Sequence, residues 1–293
     1  MTLQTLASQE LSILVMPENG GAITQATFND RKFLATPPRA SIAPKHLGLE
    51  SDWVAAWNGG WQPLLPNAGA EFFDGKYPQG FHGNASQASW NVMQQSADAI
   101  SLEWSGENLA SKRTIQLDKN SISLSGSLIN HDVQERSVIV TEHLVLGSDF
   151  LESEISIEPI GQARFRELEY DGSAQGRDFL PWDSFHEKKW ATVTSDTPAR
   201  MGVFSEISCI KVSNEIFEIE ISWDAHTLPF LWIWQELGYT QEHPWNGEYW
   251  ALGVEPSSSA DGMGIGGNSV RKLKSNEELT WSVNLKIQKR AGK

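Results

Sequence analysis

The segment Ile216-Phe217-Glu218-Ile219-Glu220-Ile221-Ser222-Trp223 decides the fold class. In an extended chain Phe217, Ile219, Ile221 and Trp223 share one face and Glu218, Glu220 and Ser222 the other, because strand side chains alternate with period two. The pattern returns near the end, where Trp281, Val283, Leu285 and Ile287 interleave with Ser282, Asn284, Lys286 and Gln288. Both stretches predict antiparallel strands with one buried face. Shorter alternations run through Leu11–Met16, Ala22–Phe28, Ile100–Trp104, Arg113–Leu117, Ile122–Ile129, Ser137–Leu146, Ile155–Glu158, Ala191–Thr194 and Ser208–Val212. Turn residues at Asn19-Gly20-Gly21, Asp74-Gly75, Asp118-Lys119-Asn120 and Asp171-Gly172 punctuate them. No window of about a dozen residues carries a helical stripe, so the chain reads as all-β, a sandwich or a barrel.

The 293 residues hold 23 Lys and Arg against 37 Asp and Glu, a net charge of −14, and 40% of them are hydrophobic. Without clustered cations the chain has no footprint for phosphate backbones, which excludes nucleic acid as an expected partner. Cys209 is the sole cysteine, and no CxxC or HExxH pattern is present, so neither disulfide, zinc site nor other metal or cofactor is expected. No apolar run approaches the roughly 18 residues that span a bilayer. The start, Met1 to Leu6, lacks a basic region followed by a long apolar one, so the expected location is cytoplasmic, with no membrane partner. In the absence of repeats or a Pro/Gly/Ser linker, residues 1–293 are expected to form a single domain.

Tryptophan is abundant: 13 against 4 Tyr and 12 Phe. Its flat face suits both cores and stacking on sugar C–H surfaces. Two regions do not alternate, Trp53 to Gly83 and Gln235 to Gly247, and long ordered loops of this kind build sites above a rigid sheet.

In Ser137–Leu146, Ile139, Thr141, His143 and Val145 share one face, opposite Val138, Val140, Glu142 and Leu144. Both faces are largely apolar, so His143 is either a core histidine satisfied by the backbone or a proton-transfer group. In Glu248–Glu255, Tyr249, Ala251, Gly253 and Glu255 share a face, and Pro256 is expected to stop the strand at the carboxylate. Glu255 is either a solvated strand end or, above two small side chains in a dry cleft, a general base of raised pKa.

The run Gly59-Gly60-Trp61-Gln62-Pro63-Leu64-Leu65-Pro66-Asn67, followed by His82-Gly83-Asn84-Ala85 and by Trp90 eight residues after the histidine, resembles the aldose 1-epimerase (galactose mutarotase-like) family. The likeness continues in order through Thr141-Glu142-His143, Phe179-Leu180-Pro181, Leu231 to Glu236, Tyr249 to Pro256, and Leu273 to Trp281. It implies a large antiparallel β-sandwich, the galactose mutarotase-like supersandwich, holding a sugar over one sheet. It also implies His143 as general acid and Glu255 as general base, on opposite sides of the ring. His82, Asn67, Gln235, Trp234 and Trp245 are the expected substrate contacts. Asn67 has the alternative of shaping a turn, Trp234 that of a core residue, and Gln235 and Glu236 that of capping loop N–H groups.

Ser86 stands where the family often carries an arginine, which argues against a sugar phosphate. Trp182 replaces a small polar residue of the family. The ligand expected is a neutral aldose, and the reaction is the interconversion of its anomers. A carbohydrate-binding or regulatory protein without turnover is the alternative. A glycoside hydrolase would need two flanking carboxylates, and only Glu255 has motif support. Asp52, Glu71 and Asp74 read as loop charges, and Asp224 and His226 as solvated turn residues. The sequence leaves the oligomeric state open.

Overall fold

Alternation becomes strand pairing in the computed structural model, which describes residues 3–38, 47–73, 75–185 and 189–290. Asp74, one of the expected turn residues, lies outside them. The described strands are antiparallel wherever they pair. One sheet runs in the order Gln4–Ala7, Leu11–Met16, Ala22–Phe28, Trp61–Leu64, Thr141–Leu146, Trp250–Ser257, Phe230–Leu237, Arg200–Ser205, Arg164–Leu168 and Leu180–Pro181, with Arg31–Lys32 beside Ala22–Phe28. The second runs Thr192–Val193, Ile155–Pro159, Cys209–Ser213, Phe217–Trp223, Glu278–Lys289, Ser121–Asn130, Leu109–Asp118, Ala99–Gly106 and Asn91–Gln95. Both of the deciding segments of sequence lie in this second sheet, paired with each other from Phe217↔Lys289 to Trp223↔Val283.

Leu6, Ile13, Ile23 and Leu144 of the first sheet pack with Ile115, Leu124, Ile219 and Leu285 of the second in one core. Each fully buried side chain of this size contributes about 1.5–3 kcal/mol. Glu142 enters the same core. Its Oε2 accepts from Arg113 Nη1 at 2.6 Å and from Trp61 Nε1 at 2.9 Å, and its Oε1 from Trp281 Nε1 at 2.8 Å. Arg113 and Trp281 belong to the second sheet, so one carboxylate joins both layers. Trp281 lies over Gly126, where an added Cβ would fall 2.2 Å from the indole.

Several expectations need correction. Ser137–Leu146 is interrupted: Arg136–Val138 pairs with Arg271–Leu273 in a small separate ladder, and only Thr141–Leu146 joins the large sheet. Pro256 does not end its strand, which continues to Ser257 opposite Thr141 and Phe230. Toward Phe230–Leu237 the pairing runs unbroken through Pro256, and toward Thr141–Leu146 the ladder lapses between Val145↔Gly253 and Thr141↔Ser257, where the proline N–H is not needed. The region Trp53 to Gly83 contains part of the short helix Glu50–Ala56 and the central strand Trp61–Leu64. Trp182, half-buried, packs against Phe165 and Phe204 at the margin of the core.

Removing the cation from the core carboxylate should be costly, because an unpaired buried charge keeps its desolvation penalty. Arg113→Met is expected to lower unfolding free energy by about 3–5 kcal/mol, whereas Arg113→Met/Glu142→Gln, which removes the unpaired charge and keeps an acceptor for an indole N–H, should recover part of that loss. Urea unfolding of the three proteins measures it; equal losses in the single and double variants would contradict the account.

Candidate functional site

Period-two alternation sends Glu142 into the core and therefore turns His143 to the opposite face of the sheet. The pairs Thr141↔Ser257 and Val145↔Gly253 set the register with the neighbouring strand. Midway between them, His143 stands beside Glu255, with Nε2 3.8 Å from Oε1. Across the other edge of His143 lies Gln62, and across that of Glu255 lies Trp232. The two side chains are thus neighbours on one floor, where the resemblance led us to expect groups facing each other across a ring.

Gly253 makes room for this arrangement. An added Cβ there would lie 2.2 Å from Glu255 Oε1, so the carboxylate folds back over the glycine. Trp53 and Trp57 form a wall above His143, with ring centroids 5.5 and 5.8 Å from the imidazole. They are four residues apart on the helix Glu50–Ala56 and its end, and so share a face. Trp234 lies parallel to His143 at 6.3 Å and touches Trp245 at 5.3 Å. These groups, with Phe81, His82, Tyr170 and Trp232, line a cavity of about 230 Å³ that contains both His143 and Glu255.

His82 is held by two contacts with Gly69: its backbone N–H donates to the Gly69 carbonyl, and its Nδ1 accepts from the Gly69 N–H at 2.9 Å. Nδ1 thus carries no proton, which leaves the proton of the neutral ring on Nε2. The residue has φ +62°, in the left-handed region that histidine enters more readily than most side chains. Burial and the neighbouring His143 keep its pKa well below the ordinary value. Ser86, at the family's arginine position, accepts from Trp53 Nε1 at 3.0 Å and donates to the Gly83 carbonyl. Ser86 itself does not line the cavity, and its hydroxyl fixes the Trp53 indole that does.

Of the expected contacts, His82, Trp234 and Trp245 line the cavity. Asn67 does not. It ties loops together, donating to the carbonyls of Ala70 and Gly80 and accepting from the Ile265 N–H. Gln235 is also misplaced by the expectation: it alternates onto the core face with Ile233 and Leu237, where its Oε1 accepts from Arg200 Nε at 2.6 Å. Glu236, on the cavity side of the same strand, caps the loop that follows it. Its oxygens accept from Tyr239 N–H, Thr240 N–H, the Thr240 hydroxyl and the Tyr170 hydroxyl. Asp52 bonds the Leu49 N–H at the helix start, and Asp224 the His226 N–H in a turn, whereas Glu71 lines the cavity. Among the described residues no group of His, Cys, Asp and Glu side chains is arranged to hold a metal ion, and no helix is long and apolar enough to cross a membrane.

Removal from water disfavours both charged forms of the floor pair. It pushes the Glu255 carboxyl up from 4.5 to about 8 and the His143 imidazole down from 6.5 to about 3. Among the described residues His143 Nδ1 has no hydrogen-bond partner, and neither does Trp57 Nε1. The pair holds one proton at neutral pH, and burial favours leaving it on Glu255 in the ligand-free site.

The signs make a testable pH profile. Between 4.5 and about 8 folded Glu255 keeps a proton that the unfolded chain loses, so its contribution to stability falls as pH rises. Between 6.5 and about 3 unfolded His143 takes a proton that the folded one refuses, so its contribution falls as pH drops. The slopes cancel from 4.5 to 6.5. Denaturant titrations at stepped pH, taken relative to a His143→Asn/Glu255→Gln variant, should give a plateau there and a decline on both sides. A difference that stays flat from pH 7 to 8 would mean that Glu255 is already ionised in the folded protein.

No protein-family model matches the chain, and no curated protein matches it in sequence. Solved structures do match. A galactose mutarotase related enzyme from Lactobacillus acidophilus is 14% identical, with TM-score 0.71 over 98% of this chain and 97% of its own. A galactose mutarotase-like protein from Clostridium acetobutylicum is 15% identical, with TM-score 0.72 over 98% and 95%. A protein of Synechocystis sp. PCC 6803 is 16% identical, with TM-score 0.72 over 99% and 96%. The chain has the galactose mutarotase-like β-sandwich fold.

Proposed function

We propose that this protein is an aldose 1-epimerase-like isomerase that interconverts the anomers of an unphosphorylated aldose. The observation that carries the reading is the His143–Glu255 pair, 3.8 Å apart on the floor of an aromatic cavity. The ring oxygen and the anomeric hydroxyl are bonded to the same carbon, so two adjacent groups reach both. By resemblance, His143 gives a proton to the ring oxygen while Glu255 takes the proton of the anomeric hydroxyl. The bond between the anomeric carbon and the ring oxygen breaks, its electron pair goes to that oxygen, and an open-chain aldehyde results. Rotation about the adjoining C–C bond and reclosure on the other face give the second anomer, with both protons returned.

The acid and base forms differ from the favoured ligand-free arrangement by one proton, passed between neighbours. A bound sugar hydroxyl supplies hydrogen bonds that favour the charged forms. His82 presents Nε2–H as a donor for a sugar oxygen, and the faces of Trp53, Trp234 and Trp245 offer stacking surfaces for C–H groups.

Exchange NMR between anomeric protons, run on a panel of aldoses, tests the reading. On the true substrate His143→Asn and Glu255→Gln should each lower kcat by about 10²–10⁴-fold, and the double variant should be little worse than the weaker single one. Variants that retain wild-type exchange would refute the assignment, and a panel without any acceleration would leave a sugar-binding protein. Gly253→Ala supplies a subtler check. Its methyl group would meet Glu255 Oε1 at 2.2 Å and Trp234 Cβ at 3.1 Å, so the carboxylate must move furthest, and kcat should drop about tenfold or more through misplacement while a far-UV circular dichroism spectrum like that of the wild type shows the fold kept. Unchanged kcat would mean that the position of that carboxylate is immaterial.

A further inference from the structure

We propose that Glu107, on the turn between two strands of the second sheet, is a positioning residue for His82. The inference rests on the reading of His82 as a donor to the sugar, and it goes beyond that reading by assigning what holds the imidazole in place. The segment from Gln79 to Asn84 carries Phe81 and His82, both of which line the cavity. A carboxylate from the other layer of the sandwich binds both ends of this segment: Glu107 Oε1 accepts from Asn84 Nδ2 at 2.6 Å, and its Oε2 accepts from Gln79 Nε2.

The two amides are already oriented by backbone groups. The Gln79 side-chain oxygen accepts from the Asn84 N–H and the Asn84 side-chain oxygen from the Gly80 N–H, each at 3.0 Å. Neither amide can flip without turning its NH2 group toward a backbone N–H. A carboxylate satisfies both NH2 groups at once, whereas glutamine in its place would offer one oxygen and set its own NH2 against one of them. Gln79 is fully buried, so a bond lost there is not replaced by one to water.

Among the described residues the backbone anchors of the segment lead to other loops. Gln79 pairs with Phe72, the Phe81 N–H donates to the Gly48 carbonyl and the His82 N–H to the Gly69 carbonyl. Glu107 belongs instead to a ladder, in which Ala99–Gly106 pairs with Leu109–Asp118 up to Gly106↔Leu109. Arg136 fixes the turn from the side: its Nη1 donates to the Glu107 carbonyl at 2.6 Å, and its guanidinium lies 3.7 Å over the Tyr77 ring. The residue type at 107 points the same way. Glu107 and Asn108 have φ +55° and +60°, both left-handed. A two-residue hairpin turn of that kind favours Asn, Asp or Gly at its first position, so glutamate there costs backbone free energy. A side chain that reaches the segment bearing His82 offsets that cost.

A double-mutant cycle in the anomer-exchange assay tests the proposal. Glu107→Gln is expected to raise KM about tenfold while kcat stays within about twofold, because a loosened His82 weakens binding of ground and transition states alike. In a His82→Asn background, where asparagine accepts the same left-handed backbone, the change at Glu107 should alter kcat/KM by less than about twofold. A full tenfold loss in that background, or an unchanged KM when His82 is present, would overturn the proposal. Nitrogen NMR of the imidazoles supplies a readout without substrate: His82 should be held as the Nε2–H tautomer in the wild type, and its ring signals should shift in Glu107→Gln. Unshifted signals would mean that Glu107 does not position the ring. Asn84→Asp, which sets a second carboxylate against Glu107, should reproduce both effects and decides the matter if Glu107→Gln does not fold. If no sugar exchanges, the isomerase reading fails, and the NMR arm alone decides whether Glu107 holds His82.

Discussion

Glu142 is the constraint on which the candidate site depends. Its two oxygens take three hydrogen bonds, from Arg113, Trp61 and Trp281, in the space between the sheets. A slip of one residue in the strand Thr141–Leu146 would exchange Glu142 and His143, placing a carboxylate on the open face and an imidazole in the core. The buried pair disfavours that slip strongly, since Arg113 would lose the carboxylate it pairs with in a dry interior. The position of the imidazole is thus specified from behind, by chemistry that never meets a ligand.

The cavity side works by the opposite logic. There His143 and Glu255 are buried without the full set of partners that Glu142 has, and both are displaced from their ordinary protonation by loss of water. Satisfied polar groups stiffen a core, whereas under-satisfied ones store free energy that a ligand can release. The same strand carries both kinds on alternate residues, which is economical in chain length and unforgiving of error.

Much of the sandwich was readable because half-buried strands advertise themselves: Phe217–Trp223 and Leu11–Met16 follow the alternation residue for residue. The face assignments of His143 and Glu255 followed from the same periodicity. It fails where both faces are covered. Trp61–Leu64 is buried throughout and contains Pro63, so it has neither alternation nor strand-like composition, yet it pairs with the histidine strand. Gln235 was misread because its polar side chain suggested a ligand contact, although its parity with Ile233 and Leu237 already assigned it to the core. Asn67 bonds Ala70, Gly80 and Ile265, and the last of these lies far along the chain, beyond the reach of local pattern. Trp53 and Trp57 had a legible signal in their spacing of four, but a helix as short as Glu50–Ala56 is too brief to show a stripe. The fold as a whole was legible through motif order, even though the matching structures share only 14–16% of their residues with this chain.

The reacting pair sits on two hydrogen-bonded strands, while most of the aromatic and acidic lining sits on the helix and loops around them. This separation gives the molecule two independent rates of permissible change. A replacement at Glu50, Glu71, Trp245 or Asp171 alters what enters without touching the spacing of His143 and Glu255, because no backbone ladder is disturbed. A replacement at Gly253, Ser257 or Arg113 acts on that spacing whatever the ligand. On the proposed reading the rim can vary while the floor keeps one reaction, and a protein engineer seeking a new sugar has the first to change and the second to leave alone.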